Sequence, residues 1–270
     1  MKTKHKTYGH YANLIYAELG IRPVMISVTG STAWGTDVEG SDVDLTVVGI
    51  DRKPDIYNYP RKSFTDKIFL DDGDSIDVRF WSVSAFLGQV VKSPIVAYEA
   101  VYGLPLIKNH AWEIIEGCMR HYRDDVSIFR SAFGALLCVQ KEGFNPTTRR
   151  QAFRYLLVLL QIAENVENTL RSGVSIESPV ILNAQEYFEQ TSKQVPLSFT
   201  DVAEPYVQLR WLFRWAFSEL PENDDETVGL IIERLRAIGN IDRRNADRNK
   251  PGYDEKAKLA FQELVKFGLA

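Results

Sequence analysis

Asp42, Asp44 and Asp77 are the residues whose types and spacing can do chemistry in this chain. One residue, Val43, separates Asp42 from Asp44, so on an extended strand the two carboxylates share a face while Val43, Leu45 and Val47 pack beneath. Asp77 lies in Ser75-Ile76-Asp77-Val78-Arg79-Phe80, where alternation places Asp77 and Arg79 on the polar face of a half-buried strand. If the two strands are neighbours, Asp77 joins the pair. Carboxylates held that close repel one another, and a divalent cation is the usual neutraliser; hard oxygen donors favour Mg2+ or Mn2+. Gly30-Ser31 directly follows an apolar strand, and a Gly-Ser turn with open amides and a hydroxyl can hold phosphate oxygens. By spacing alone, Asp42-Val43-Asp44 equally suits a polar strand edge after a turn.

These side chains need a small sheet, and the text from residue 21 to 83 supplies one in short β-branched runs broken by Gly, Asp, Pro and Ser. Val24 to Thr29 reads as a buried strand and Asp42 to Gly49 as the next. Lys67 to Leu70 and Ser75 to Ser82 flank Asp71-Asp72-Gly73-Asp74, a hairpin signal. Helices are expected over Tyr11 to Leu19, ending at Gly20, and over Ser84 to Val91 and Ile95 to Val101. Beyond Pro105 the apolar period becomes 3.6, giving helices over Val126 to Gln140, Thr147 to Leu170, Pro205 to Leu220, Glu226 to Ile238 and Asp254 to Phe267. The expected fold class is α+β: a small mixed β-sheet domain with flanking helices over 1–105, followed by an all-helical module over 106–270.

Composition narrows the partners. At 270 residues, 45% hydrophobic and 25% charged, the chain is long enough for a core and is neither disordered nor fibrous. A net charge of −4 confines any nucleic-acid contact to a local patch. Cys118 and Cys138 are too few for a disulfide framework and lack zinc-site spacing, which fits a reducing, cytoplasmic setting. No apolar run approaches the roughly 20 residues of a membrane span, and no signal-peptide pattern follows the basic start.

Basic residues are the candidates for holding phosphate. Arg79 stands beside Asp77, where it binds substrate or pairs with a carboxylate. Arg150 and Arg154 share one helix face, suited to a cleft or to plain solvent. Ile231 to Lys250 carries Arg234, Arg236, Arg243, Arg244, Arg248 and Lys250 without a coherent stripe, and reads as solvated surface in preference to an RNA dock. Trp211, Phe213, Trp215 and Phe217 read as helical core, and Trp34 as the aromatic placed to touch a substrate.

Taken in order, Gly30-Ser31-Thr32-Ala33-Trp34-Gly35, then Gly40-Ser41-Asp42-Val43-Asp44, then Ser75-Ile76-Asp77-Val78 closely resembles the DNA polymerase β-like nucleotidyltransferase superfamily. Within it the chain looks most like the stand-alone bacterial and phage nucleotidyltransferases, and Ser93-Pro94-Ile95-Val96-Ala97-Tyr98-Glu99 is a second point of agreement. The resemblance covers roughly residues 10 to 105. It implies that Asp42 and Asp44 hold two metal ions, Mg2+ or Mn2+, that Asp77 completes the metal site and accepts the incoming hydroxyl's proton, and that Ser31 and the Gly30 amide grip a nucleoside triphosphate. It leaves the acceptor open among an RNA 3′ end, a small molecule and a protein. Thr32 departs from the longer or charged residue that related proteins often carry. A non-catalytic nucleotide-binding or interaction module with the same fold is the alternative, and the intact aspartates count against it. A structural Ca2+ protein is a third reading, for which no EF-hand loop is present.

Overall fold

The computed structural model describes residues 7–52, 61–70, 75–174, 180–192, 205–217, 224–240 and 255–269. The Asp71 to Asp74 turn, Ser218 to Asn223, and Arg243, Arg244, Arg248 and Lys250 lie outside them. The chain divides into two compact units: one holds the described residues within Met1–Ala33, Asp37–Arg123 and Lys250–Ala270, the other those within Trp34–Thr36 and Asp124–Asn249.

In the first unit, Thr7 caps α1 (Tyr8–Leu19) by accepting from the His10 N–H, and left-handed Gly20 stops it. Tyr11, Ile15 and Leu19, spaced by four, are its buried stripe. There follow β1 (Ile21–Thr29), a single turn α2 (Gly30–Ala33), β2 (Val43–Asp51), β3 (Ser63–Phe69) and β4 (Ser75–Ser82). The next elements are α3 (Val83–Lys92), α4 (Ile95–Tyr102), the two-residue β5 (Leu104–Pro105) and α5 (His110–Tyr122). The sheet is five-stranded in the order β3-β4-β2-β1-β5. Only β2 and β4 run parallel; the other neighbours are antiparallel, so the sheet is mixed.

Alternation gives the sheet two unlike faces. Ile26, Val28, Leu45, Val47, Ile68, Ile76, Val78 and Phe80 form one, and they bury against Tyr11, Ile15 and Leu19 of α1. The opposite face carries Ser27, Thr29, Asp44, Thr46, Lys67, Asp77 and Arg79, as the strand registers require. Near one end, Asp51 has a fully buried side chain that accepts from the Arg61 backbone N–H, Nε and Nη2 at 2.8–2.9 Å.

The second unit is helical: α6 (Asp125–Glu142), α7 (Pro146–Ser172), α8 (Ala184–Ser192), α9 (Pro205–Phe217) and α10 (Asp224–Gly239). α11 (Glu255–Leu269) returns to the first unit and packs on α3, α5, β1 and β2. The protein is thus α+β, a mixed sheet with flanking helices and a helical C-terminal region. Three helices among the described residues go beyond the sequence expectation, the single turn α2, α5 and α8. α5 has an Asn109 cap and buries Ala111, Ile115, Cys118, Met119 and Tyr122. Among the described residues no helix is long and apolar enough to cross a membrane.

α7 begins with a reciprocal cap: Asn145 Oδ1 accepts from the Thr147 and Thr148 N–H groups at 2.9 and 3.0 Å, and Thr148 Oγ1 accepts from the Asn145 N–H at 2.7 Å. Asn145→Ala should lower the stability of the helical unit by about 1 kcal/mol, the usual worth of such a cap. Urea unfolding followed by circular dichroism checks this, and an unchanged midpoint contradicts it.

Candidate functional site

The polar face is organised in rows across the strands. Lys67 of β3 stands opposite Asp77 of β4, Asp77 opposite Asp44 of β2, and Asp44 opposite Thr29 of β1. One row therefore reads Lys67, Asp77, Asp44, Thr29. Directly opposed residues in a sheet have Cβ atoms roughly 4.5–5.5 Å apart, so the aspartates of adjacent parallel strands face the same small volume. The next row along that face is Thr65, Arg79, Thr46, Ser27. In it Thr46 Oγ1 lies 3.3 Å from Thr29 Oγ1, tying the two rows together.

Asp42 is exposed and sits one residue before β2 begins, so the strand starts one residue later than the sequence expectation. The strand starts at Val43 because the preceding segment is a turn, in which Ser41 N–H donates to Val38 O at 3.0 Å and Ser41 Oγ accepts from Val38 N–H at 2.9 Å. Asp42 is thereby adjacent to the row without belonging to its register.

Gly30 and Ser31 open α2 straight from the end of β1. Gly30 has φ +63°, and the Asp44 carboxylate lies against it: a Cβ at that position would fall 1.8 Å from Asp44 Oδ2. The Gly30 N–H donates to Glu99 Oε1 of α4 at 2.7 Å, a charge-assisted bond, so the amide expected to grip phosphate is engaged by a carboxylate of this chain. Ser27 Oγ donates to Ala100 O at 2.6 Å, fixing the same helix against β1.

Lys67 Nζ lies 3.1 Å from Asp77 Oδ1, with side chains 41% and 42% exposed. The hydrogen bond and charge of Asp77 raise the Lys67 pKa, and the charges of Asp42 and Asp44 push the same way. One ammonium thus feels all three expected site aspartates. Arg79 is exposed one row along, and Asp77 takes Lys67 as its ion-pair partner.

No family model and no curated protein matches this chain. The solved structure of a nucleotidyltransferase-like protein from Exiguobacterium sibiricum 255-15 is similar to it at 13% identity, over 97% of this chain and 74% of its own, with a TM-score of 0.29. So loose a likeness places no residue.

The carboxylate oxygens and threonine hydroxyls of that face are the hard-donor types a divalent cation takes, whereas the Lys67 ammonium offers no lone pair and repels one. Among the described residues no three His, Cys, Asp or Glu side chains are grouped closely enough to hold a metal ion.

The other residues expected at the site belong to the second unit and are described within it. Arg150 and Arg154 are half-buried on α7, in the second unit. Their neighbour Arg149 pairs with Asp225 at 2.9 Å, and Asp225 also accepts from the Trp215 indole at 2.8 Å. Trp215 is buried, and Phe213 and Phe217 pack with Phe153 in the same unit. Trp34 corrects the sequence expectation: it is 2% exposed, belongs with the helical unit, and its carbonyl accepts from the Ala184 N–H at 3.0 Å. An indole gains more from burial than from waiting in a loop for a substrate. Arg236 is paired with Glu233 on α10, as a solvated helix face would have it.

Lys67 and Glu99 are the site residues that spacing does not single out. Lys67 carries a partial signal, since it lies on the strand expected to pair with that of Asp77, but the register that sets them opposite is not given by the centre of Asp71 to Asp74. Glu99 carries none in its spacing, because its partner is 69 residues away in sequence.

Proposed function

We propose that this chain is a metal-dependent nucleotidyltransferase that moves a nucleoside monophosphate from a nucleoside triphosphate to a hydroxyl acceptor, releasing pyrophosphate. The observation that carries the reading is the register of Asp44 with Asp77 on adjacent parallel strands, beside the Gly30-Ser31 turn. Asp42, Asp44 and Asp77 would hold Mg2+ or Mn2+, which supplies charge neutralisation at the α-phosphate and the leaving oxygen when bound. Asp77 keeps Lys67 on Oδ1 and takes the acceptor's proton on Oδ2. The acceptor oxygen bonds to the α-phosphorus, the bond from that phosphorus to the bridging oxygen breaks, and pyrophosphate leaves with the electron pair. Ser31 and the turn amides orient the triphosphate, with Glu99 giving up the Gly30 N–H as phosphate arrives.

The acceptor class is an RNA 3′ end, a small molecule or a protein hydroxyl, and the mild net charge of −4 gives weak support to the last two. The test is transfer of label from each α-labelled nucleoside triphosphate, with Mg2+ or Mn2+, into the RNA, protein and small-molecule fractions of a cell extract. Label in one fraction, lost in an Asp42→Asn, Asp44→Asn double variant, supports the reading and identifies the acceptor class. No transfer from any nucleotide, with nucleotide binding unchanged in the double variant, would instead favour the non-catalytic binding module.

A further inference from the structure

We propose that Glu99 is a positioning residue, whose carboxylate holds the Gly30 turn in shape until a nucleoside triphosphate takes it over. The inference rests on the nucleotidyltransferase reading and concerns what keeps the phosphate turn formed while no nucleotide is bound. Glycine visits positive and negative φ about equally, so Gly30 does not by itself select the φ of +63° at which it joins β1 to α2. The selection comes from outside: the Gly30 N–H donates to Glu99 Oε1 at 2.7 Å, across 69 residues of sequence. A bond to a carboxylate is among the stronger ones a backbone amide makes. The conformation so held is also the one that admits Asp44, whose Oδ2 would lie 1.8 Å from a Cβ at this position. Glu99 and Asp44 thus meet the same glycine, one at its nitrogen and the other where a side chain would stand.

Glu99 reaches the turn from a fixed backbone. It is the one charged residue of α4, and Ala97, Tyr98, Ala100 and Val101 around it are buried. Ser27 Oγ, buried on β1, donates to Ala100 O at 2.6 Å. The Gly103 N–H donates to Glu99 O at 2.7 Å, and a Cβ at Gly103 would fall 2.6 Å from that carbonyl and 3.2 Å from Ala33 Cβ. Only a residue without a side chain lets the end of α4 lie so close to α2. A turn already ordered in the free protein spares the ligand the cost of ordering it, so the anchor favours nucleotide binding. Displacing the carboxylate works against binding, and the sign of the effect therefore separates an anchor from a competitor. Because Glu99 has released Gly30 once phosphate is bound, the effect belongs to binding and not to the chemical step.

The test pairs two measurements on the full chain, in the wild type, Glu99→Ala and Glu99→Gln. One is the Kd of the α,β-methylene analogues of ATP, GTP, CTP and UTP; the other is hydrogen exchange of the Gly30 amide in nucleotide-free, 15N-glycine-labelled protein. Glu99→Ala is expected to speed exchange at Gly30 and to weaken the bound analogue roughly tenfold, with the transfer rate at saturating nucleotide unchanged. Glu99→Gln, which keeps an acceptor oxygen at the same reach, should restore slow exchange and most of the affinity. Unchanged or tighter binding in Glu99→Ala, or the same Gly30 exchange as in the wild type, overturns the positioning role while leaving the reaction intact. Should the alanine variant fail to fold, tighter binding by Glu99→Gln than by the wild type overturns it in the same way. No binding of any of the analogues by the wild type overturns this inference together with the function beneath it.

Discussion

Asp44→Asn should reduce nucleotidyl transfer roughly 10³-fold while leaving the protein at least as stable as the wild type. Asparagine matches aspartate in size, so the change removes charge and little else. Asp44 is the one site carboxylate that is both in register with Asp77 and against Gly30, and on the proposed function it would serve the cation and the triphosphate together. Losing a group aimed at developing charge ordinarily costs roughly 10²–10³ in rate, and on the proposed function Asp44, which would also hold a cation, lies at the upper end. Stability should move the other way, because like charges directly opposite on neighbouring strands destabilise a sheet. Single-turnover rates and thermal midpoints measured on the same preparations check the pair of claims. A variant that loses activity only in proportion to lost folded protein would show Asp44 to be structural.

Gly30→Ala should lower transfer by at least roughly 10²-fold and also destabilise the sheet unit. Two separate effects act at this position. The backbone is left-handed at φ +63°, which costs about 1–2 kcal/mol for a residue with a Cβ. The added methyl would also occupy space 1.8 Å from Asp44 Oδ2 and 2.6 Å from its Cγ, so the carboxylate must leave. Gly40→Ala separates them: Gly40 has φ +84° but nothing within 4 Å of a Cβ, so only the backbone strain applies. The expected result is two variants with similar loss in urea stability and very different rates. Equal rates in the two would mean that displacement of Asp44 does not matter.

Much of this geometry is legible in the chain itself. Val24 to Thr29 and Ser75 to Ser82 are readable because β-branched runs with period-two polarity have few other uses. The shared face of Asp44 and Asp77 follows from that period once their strands are neighbours, but the neighbour relation does not. β3 intervenes in sequence, and a parallel pairing of β2 with β4 is a long-range contact that no local signal carries. Asp42 reads as strand because the one-residue alternation continues through it, whereas the Val38–Ser41 turn delays the strand by one residue. The position of Trp34 in a polar, glycine-rich segment hides its burial partners, which come from far along the chain. Glu99 reaches Gly30 for the same reason: what brings them together is α4 packing on β1, a fact of tertiary structure.

The return of α11 to the sheet unit has a consequence for synthesis. Gly268 packs so closely that a Cβ there would come within 2.8 Å of both Val24 Cγ1 and Ile50 Cδ1, side chains of the first strands to be made. The ribosome completes α5 and then translates the whole helical unit before α11 emerges. At roughly 5–20 residues per second the interval is on the order of ten seconds. For that time the apolar sides of α3, α5 and β1 lack a covering helix while the helical unit is free to fold by itself. The nascent chain is therefore expected to present its later half to the cell as finished structure, and its earlier half as a client for chaperones.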